Sequence, residues 1–250
     1  MHEYGENFYR YLSEFAKSSA KGVIPVLTAV TPIHKVVDFG CGLGGWLSAW
    51  KEAGMAVTGL DGPYVDRRYL LIDAAEFMPM DLSEPIDLGC QFDLVQSLEV
   101  AEHIPAIYAE RFVETLTSHG RLVMFSAAVP GQGGEHHVNE QPMEYWRELF
   151  RRKGYVAVDY IRPMIRDARD VQHWYRYNII LYVHRNHLEQ LPQQVRNCAV
   201  PEDETMRSLW PWPDRIQHGL QRLLPRATVD QLSRLKAFYI SRRVARARSG

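Results

Sequence analysis

From Lys35 to His184 the chain alternates short apolar runs with stretches whose large apolar residues recur at helical spacing. This alternation constrains the fold more than any other feature, because parallel strands need a crossover and a helix usually supplies it. KVVDF (35–39) is β-branched and predicts a buried strand. GGWLSAWKEAG (44–54) predicts a helix, with Trp46, Leu47 and Trp50 on one face and Gly54 as its stop. Further strands are predicted at 55–61, 76–80, 92–98, 121–128, 155–161 and 175–183. Ile107, Phe112, Val113 and Leu116 mark a helix ending at Gly120, and Met143, Trp146, Leu149 and Phe150 one ending at Gly154. The last two strands lack a full helix between them, and such a closing pair puts one antiparallel strand in a mostly parallel sheet.

The flanks read differently. Residues 1–34 predict a helical cap carrying Phe8, Tyr11, Leu12 and Phe15, limited by Pro25 and Pro32. Residues 186–250 read as a partly helical appendage, with TVDQ (228–231) as a capping box before a helix bearing Leu232, Leu235 and Tyr239. From Arg215 to Gly250 there are nine Lys or Arg and one acid, Asp230, a charge of +8; with a net charge of −1 overall, the remainder carries −9. An acidic body argues against broad phosphate neutralisation by a nucleic-acid partner, whereas the tail suits an anionic surface. Cys41, Cys90 and Cys198 are odd in number and widely spaced, which fits free thiols in a reducing compartment. With no secretory leader and no apolar run of membrane length, a cytoplasmic location is expected.

DFGCGLGG (38–45) sits where the first strand turns into the first helix of the alternation. Gly40, Gly42 and Gly45 satisfy G-x-G-x-x-G, which serves a ligand phosphate or simply a tight turn. Asp61 closes the second strand, where a carboxylate can accept from two ribose hydroxyls of NAD or of S-adenosylmethionine. A nicotinamide dehydrogenase would account for the glycines and Asp61 only. DFGCG resembles the first motif of class I S-adenosylmethionine-dependent methyltransferases, and the resemblance runs through about 35–185. It implies a Rossmann-like α/β fold: seven mostly parallel strands, one antiparallel near the edge, helices on both faces. It also implies that Asp38 holds the methionine ammonium, that Gly40, Cys41 and Gly42 pass under the cofactor, and that Asp61 binds its ribose. Asp81 and Leu82 would flank the adenine and Ser97 the methionine end, with Trp46 and Gly62 completing the expected cofactor contacts.

SLEVAEHIP (97–105) follows the fourth strand, at the edge of the sheet where such folds bind ligands. If the stretch opens a helix, Glu99, Glu102 and His103 lie on one face. E-x-x-E-H followed some 35 residues on by a histidine resembles the metal site of small-RNA 3′-terminal 2′-O-methyltransferases and, partly, of ubiquinone-pathway O-methyltransferases. The register of HVNEQPMEYW from His137 implies His137 rather than His136 as the fourth ligand. Two carboxylates and two imidazoles would take Mg²⁺, Mn²⁺, Fe²⁺ or Zn²⁺ and leave room for two oxygens of a vicinal diol. The expected activity is O-methylation of a sugar-containing or diol small molecule, a natural product or glycan precursor. Three alternatives stand beside it. One is a metal-free enzyme, with His103 or His136 as general base on an O or N acceptor. Another is an RNA ribose 2′-O-methyltransferase. The third is a non-catalytic module, or a plain helix start whose acids favour the N-terminus. Arg162, Arg166, Arg169, His173 and Trp174, in the last insertion, either touch substrate or pack.

Overall fold

The structure is a computed structural model describing residues 6–224, 228, 229 and 231, with side chains described from Ser13 onward. A seven-stranded sheet has the order β3-β2-β1-β4-β5-β7-β6. Its strands are β1 (Lys35–Phe39), β2 (Ala56–Asp61), β3 (Phe77–Pro79), β4 (Leu94–Leu98), β5 (Leu122–Ser126), β6 (Tyr155–Val158) and β7 (Ile180–His184). β7 pairs antiparallel with both β5 and β6, and the other pairings are parallel. The fold is therefore the expected one, with one reversed strand second from the edge.

Central strands are apolar on both faces because both faces are covered. Val36, Leu94, Leu122 and Leu181 point into one core with Trp46, Leu47 and Trp50; Val37, Val95, Val123 and Tyr182 point into the other with Phe112, Leu116 and Phe150. The first core is closed by α1 (Glu6–Thr28) and α2 (Gly45–Glu52), the second by α3 (Ala109–Ser118) and α4 (Met143–Arg152). A Cβ at Gly45 would stand 2.6 Å from the Ser13 carbonyl oxygen, so glycine there lets α1 and α2 touch backbone to side.

Several expectations change. α1 runs through Pro25 to Thr28, with Ala29 N–H donating to the Pro25 carbonyl. Proline removes one donor, but packing of Val23, Ile24 and Leu27 in the core holds the helix on. The strand expected at 155–161 stops at Val158, and α5 (Ile161–Met164) follows. The strand expected at 175–183 begins only at Ile180; before it lies α6 (His173–Asn178). Alternating aromatics mimicked a strand in the WYRYN segment, whereas the chain there needs a turn that returns it to the sheet.

Beyond β7 come α7 (Arg185–Leu188), α8 (Gln193–Arg196) and α9 (Trp212–Gln221). Residues between α8 and α9 are tied to the sheet by two buried arginines. Arg147 donates to the carbonyls of Val200 (3.1 Å), Pro201 (2.5 Å) and Glu204 (2.5 Å). Arg162, fully buried, forms a two-pronged pair with Asp159 (2.7 and 2.6 Å) and donates to the carbonyls of Tyr177 (3.0 Å) and Arg207 (3.1 Å). Arg162 is thus a packing residue rather than a substrate contact. Of the expected capping box, Asp230 lies outside the described residues, as do Leu232, Leu235 and Tyr239 of the helix beyond it; the side chains of Phe8, Tyr11 and Leu12 are outside them too.

Candidate active site

The C-terminal ends of β1, β2 and β4 bring the expected cofactor residues together. Asp38 is buried in β1; Gln96 Nε2 donates to its Oδ2 at 2.7 Å, and Trp50 Nε1 in turn donates to Gln96 Oε1 at 2.8 Å. The other carboxylate oxygen, Asp38 Oδ1, is buried with no hydrogen-bond partner. Burial pushes the Asp38 pKa from 3.8 to about 8, against the Gln96 hydrogen bond and with help from the Asp61 charge. An orphaned carboxylate oxygen is the seat a ligand ammonium would fill.

Asp61, at the end of β2, accepts from Gly42 N–H (2.7 Å) through Oδ2 and from Gly62 N–H (2.7 Å) through Oδ1. This clamps the glycine loop to the second strand. The Tyr64 hydroxyl also donates to Asp61 Oδ1, at 2.6 Å. Gly40 has φ +95° and carries the Val100 side chain against its Cα, where a Cβ would collide. Cys41 is buried, and its N–H donates to the Leu60 carbonyl at 3.0 Å. Trp46 is buried in α2 with its ring edge-on to Tyr175, 5.2 Å between centroids. Asp81 is exposed and folded onto Ser83, while Leu82 packs against the second core. Ser97 is fully buried with its hydroxyl donated to the Phe39 carbonyl at 2.8 Å. Its side chain ties β4 to β1.

The acidic-histidine stretch departs from helical geometry. Glu99 has φ +57°, the left-handed region where a side-chain-bearing residue is strained, and Ala101–His103 is a single 3₁₀ turn. The helical register that would put Glu99 on one face with Glu102 and His103 is therefore broken. Its half-buried carboxylate accepts from Gln132 Nε2 (2.9 Å) and Asn178 Nδ2 (3.3 Å). Burial raises its pKa against those hydrogen bonds.

The loop after β5 supplies the partner of the turn. The Glu102 carbonyl accepts from Val138 N–H (2.8 Å) and Asn139 N–H (2.9 Å), which docks the loop on the turn. Ligand atoms of Glu102, His103 and His137 then lie within 4.8 Å of one another. The His103 and His137 rings meet edge-on at 4.9 Å, and His137 Nε2 is 4.0 Å from Glu102 Oε1. Glu102 is 1 % exposed and its Oε2 has no hydrogen-bond partner. Burial, then the Glu99 charge, pushes its pKa well up. Behind the cluster, His137 Nδ1 lies 2.8 Å from Glu140 Oε1. Glu140 also accepts from the N–H groups of Gly131 (2.7 Å) and Gly133 (2.9 Å). Burial works against this carboxylate, but the His137 bond and the two amides hold its pKa below the usual range.

So three of the four expected ligands converge, and Glu99 stands outside them. His136 has φ +59° and an exposed side chain; only its carbonyl reaches the cluster, 3.3 Å from His103 Nδ1. Sequence reasoning missed Gln96, Gln132 and Asn178, which hold the two strained or buried acids, and gave Glu140 no role. A signal for Glu140 existed, three residues after His137 in the quoted register.

The glutamate and two imidazoles fit a divalent cation. Glu102 is buried, His137 half-buried and His103 exposed; one carboxylate oxygen is orphaned, and a carboxylate backs one imidazole as in metal-bound histidines. Tyr175 is buried with its ring edge-on to Trp46, and burial raises its phenol pKa, the Glu99 and Asp38 charges acting in the same direction.

Known proteins place this architecture. A magnesium protoporphyrin IX methyltransferase from Synechocystis, with S-adenosylmethionine bound, superposes with a TM-score of 0.50 at 22 % identity over 69 % of this chain and 80 % of its own. The sugar N-methyltransferase KedS8 from Streptoalloteichus gives 0.55 at 16 % identity, over 74 % and 97 %. The methyltransferase domain of bacterial CtHen1-C gives 0.51 at 18 %, over 68 % and 98 %. At these identities the likeness is one of fold. No curated protein matches by sequence. The family described as methyltransferase domain matches residues 6–195. With its seven-stranded sheet, its glycine loop and this match over most of its length, the chain belongs to the methyltransferase-domain family, the S-adenosylmethionine-dependent methyltransferases of class I fold.

Proposed function

We propose that this methyltransferase transfers the methyl group to a hydroxyl of a sugar-containing or vicinal-diol small molecule, beside a divalent cation held by Glu102, His103 and His137. The observation that carries the metal reading is the convergence of Glu102, His103 and His137, whose ligand atoms lie within 4.8 Å of one another, with the Glu102 carboxylate keeping one buried, unpartnered oxygen, Oε2. One carboxylate and two imidazoles favour Zn²⁺, Mn²⁺ or Fe²⁺ over Mg²⁺, which prefers oxygen donors. Such a cation lowers the pKa of a coordinated hydroxyl and fixes its neighbour. Asp38 would receive the ammonium of S-adenosylmethionine and Asp61 its ribose, while Gly40–Gly42 pass beneath. The sulfonium charge is lost as its methyl departs, so this chain contributes chiefly alignment of the three reacting atoms. Glu140 holds the His137 ring so that Nε2 faces the cluster. Glu99, fixed by Gln132 and Asn178, gives the pocket a polar wall.

The test combines metal analysis with a methyl-transfer assay on sugars, nucleosides and catechols. Wild-type protein should carry a transition metal, lose turnover on exhaustive chelation and recover it with Zn²⁺, Mn²⁺ or Fe²⁺. Glu102→Ala should bind no metal, and Glu140→Gln should lose about 10–100-fold in metal affinity. Full activity of chelated wild type and of Glu102→Ala would refute the metal reading and leave methyl transfer standing.

A further inference from the structure

The left-handed backbone of Glu99 is unfavourable for a residue with a side chain, and such a conformation persists where its surroundings demand it. The demand comes from a hydrogen-bond network whose polarity runs one way. Trp210 Nε1 can only donate, and it donates to Asn178 Oδ1 at 2.9 Å. That choice turns the Asn178 NH₂ group towards Gln132 Oε1 (2.9 Å) and Glu99 Oε1 (3.3 Å). Gln132 Oε1 also accepts from Val129 N–H at 3.2 Å, so the Gln132 NH₂ group faces Glu99 Oε2, at 2.9 Å. Two NH₂ groups thus converge on residue 99. They are satisfied together by a side chain with two accepting oxygens, which glutamate supplies; a glutamine there would set NH₂ against NH₂.

Gln132 belongs to a stretch that regular structure does not hold. Residues 127–142 form neither helix nor strand, and Gly131, Gly133 and Gly134 make this loop costly to order. His137 lies between two ties to the body of the protein. Before it comes the Gln132 side chain on Glu99 and Asn178; after it, the N–H groups of Val138 and Asn139 on the Glu102 carbonyl. Glu99 is itself fixed to β5, since its N–H donates to the Ser126 carbonyl (3.0 Å) and hydroxyl (3.1 Å). The strained residue therefore carries a rigid acceptor to the point where the loop departs.

We propose that Glu99 is a positioning residue: through Gln132 its carboxylate latches the loop that presents His137 to Glu102 and His103, and Asn178 orients the latch. What His137 does once presented rests on the metal reading above; the latch itself does not.

The experiment is amide hydrogen exchange of the full-length protein, followed by Zn²⁺ titration and the visible spectrum of the Co²⁺-loaded form. Gln132→Ala separates latching from ligation, because it removes the tie and keeps the Glu99 carboxylate. Glu99→Gln keeps the shape and reverses one donor. Each should speed exchange across residues 131–139 about tenfold, the worth of a lost hydrogen bond to a charged group, and leave β1 exchange unchanged. Unchanged S-adenosylhomocysteine affinity shows that the variants are folded. Zn²⁺ should bind both variants about 10–100-fold more weakly than wild type, and the Co²⁺ bands should shift. Unchanged exchange in Gln132→Ala overturns the latch, and faster exchange in that variant alone overturns the part given to Glu99. Faster exchange with wild-type Zn²⁺ affinity overturns the claim that the latch sets His137. A wild type that takes up no cation refutes the metal reading, and exchange alone then decides the latch.

Discussion

At the scale of single residues the site is organised by buried carboxylates that lack full solvation. Asp38 is the sharpest case, with one oxygen on Gln96 and one on nothing. Its pKa is raised from 3.8 to about 8 in the folded protein. Below pH 3.8 the group is protonated folded or unfolded and costs nothing; between 3.8 and about 8 the unfolded chain has released a proton that the fold retains, so stability falls with pH until the folded group also ionises near 8. Stability of the cofactor-free protein should therefore fall between about pH 4 and 8, and Asp38→Asn should flatten that slope in thermal melts. A ligand ammonium reverses the preference. Calorimetry of S-adenosylhomocysteine binding at pH 7, in buffers of different ionisation enthalpy, should show proton release in wild type and none in Asp38→Asn. Equal proton counts in the two proteins would disprove this account.

The elements were legible to the extent that burial pattern alone decides them. β1, β4 and β5 read correctly because strands covered on both faces are apolar throughout. α6 did not, because its aromatics serve contacts far away in sequence, such as Tyr175 on Trp46, and local alternation cannot register that. Likewise Glu99, Glu102 and His103 were counted on a helical face, and the left-handed backbone at Glu99 broke the count. Glu102, His103 and His137 survived, since their meeting depends on loop docking and not on helix spacing. Gln132 and Asn178 were invisible for the same reason in reverse: amides say little until a buried acid is placed beside them. For Arg162 the sequence leaves substrate contact and packing open, and the structure decides for packing, since a buried arginine is rare unless its donors are engaged. Here it joins α5, α6 and the segment before α9, so Arg162→Ala should cost about 3–5 kcal/mol in urea unfolding. A loss under about 1 kcal/mol would mean the network reforms around water.

Over the whole molecule, residues 198–210 are bound into the sheet and its covering helices. Asp159 N–H donates to the Cys198 carbonyl and Val200 N–H to the Ala157 carbonyl, extending the edge beyond β6. Trp210 Nε1 donates to Asn178 Oδ1 at 2.9 Å, and Asn178 in turn reaches Glu99 and Gln132. Ending the chain at Ala199 would strip Arg147 and Arg162 of main-chain acceptors. Hydrogen bonds to a charged donor contribute about 1.5–3 kcal/mol each, so the shortened protein should lose several kcal/mol and melt well below full length. An unchanged melting temperature would mark this stretch as a separable appendage, as its composition first suggested.

The Tyr64 hydroxyl on Asp61 gives the empty protein an internal rival for its own ligand. On the proposal that Asp61 takes the cofactor ribose, the ribose displaces this phenol, and apparent affinity is the intrinsic affinity scaled by the fraction of molecules with Tyr64 swung out. Because the rival belongs to the same molecule, it raises the dissociation constant by a fixed factor at every ligand concentration and leaves the binding curve hyperbolic. Tyr64→Phe removes the hydroxyl and should tighten S-adenosylmethionine binding about twofold to tenfold, the worth of one exchanged hydrogen bond. Equal dissociation constants for the two proteins would show that the rival yields without cost.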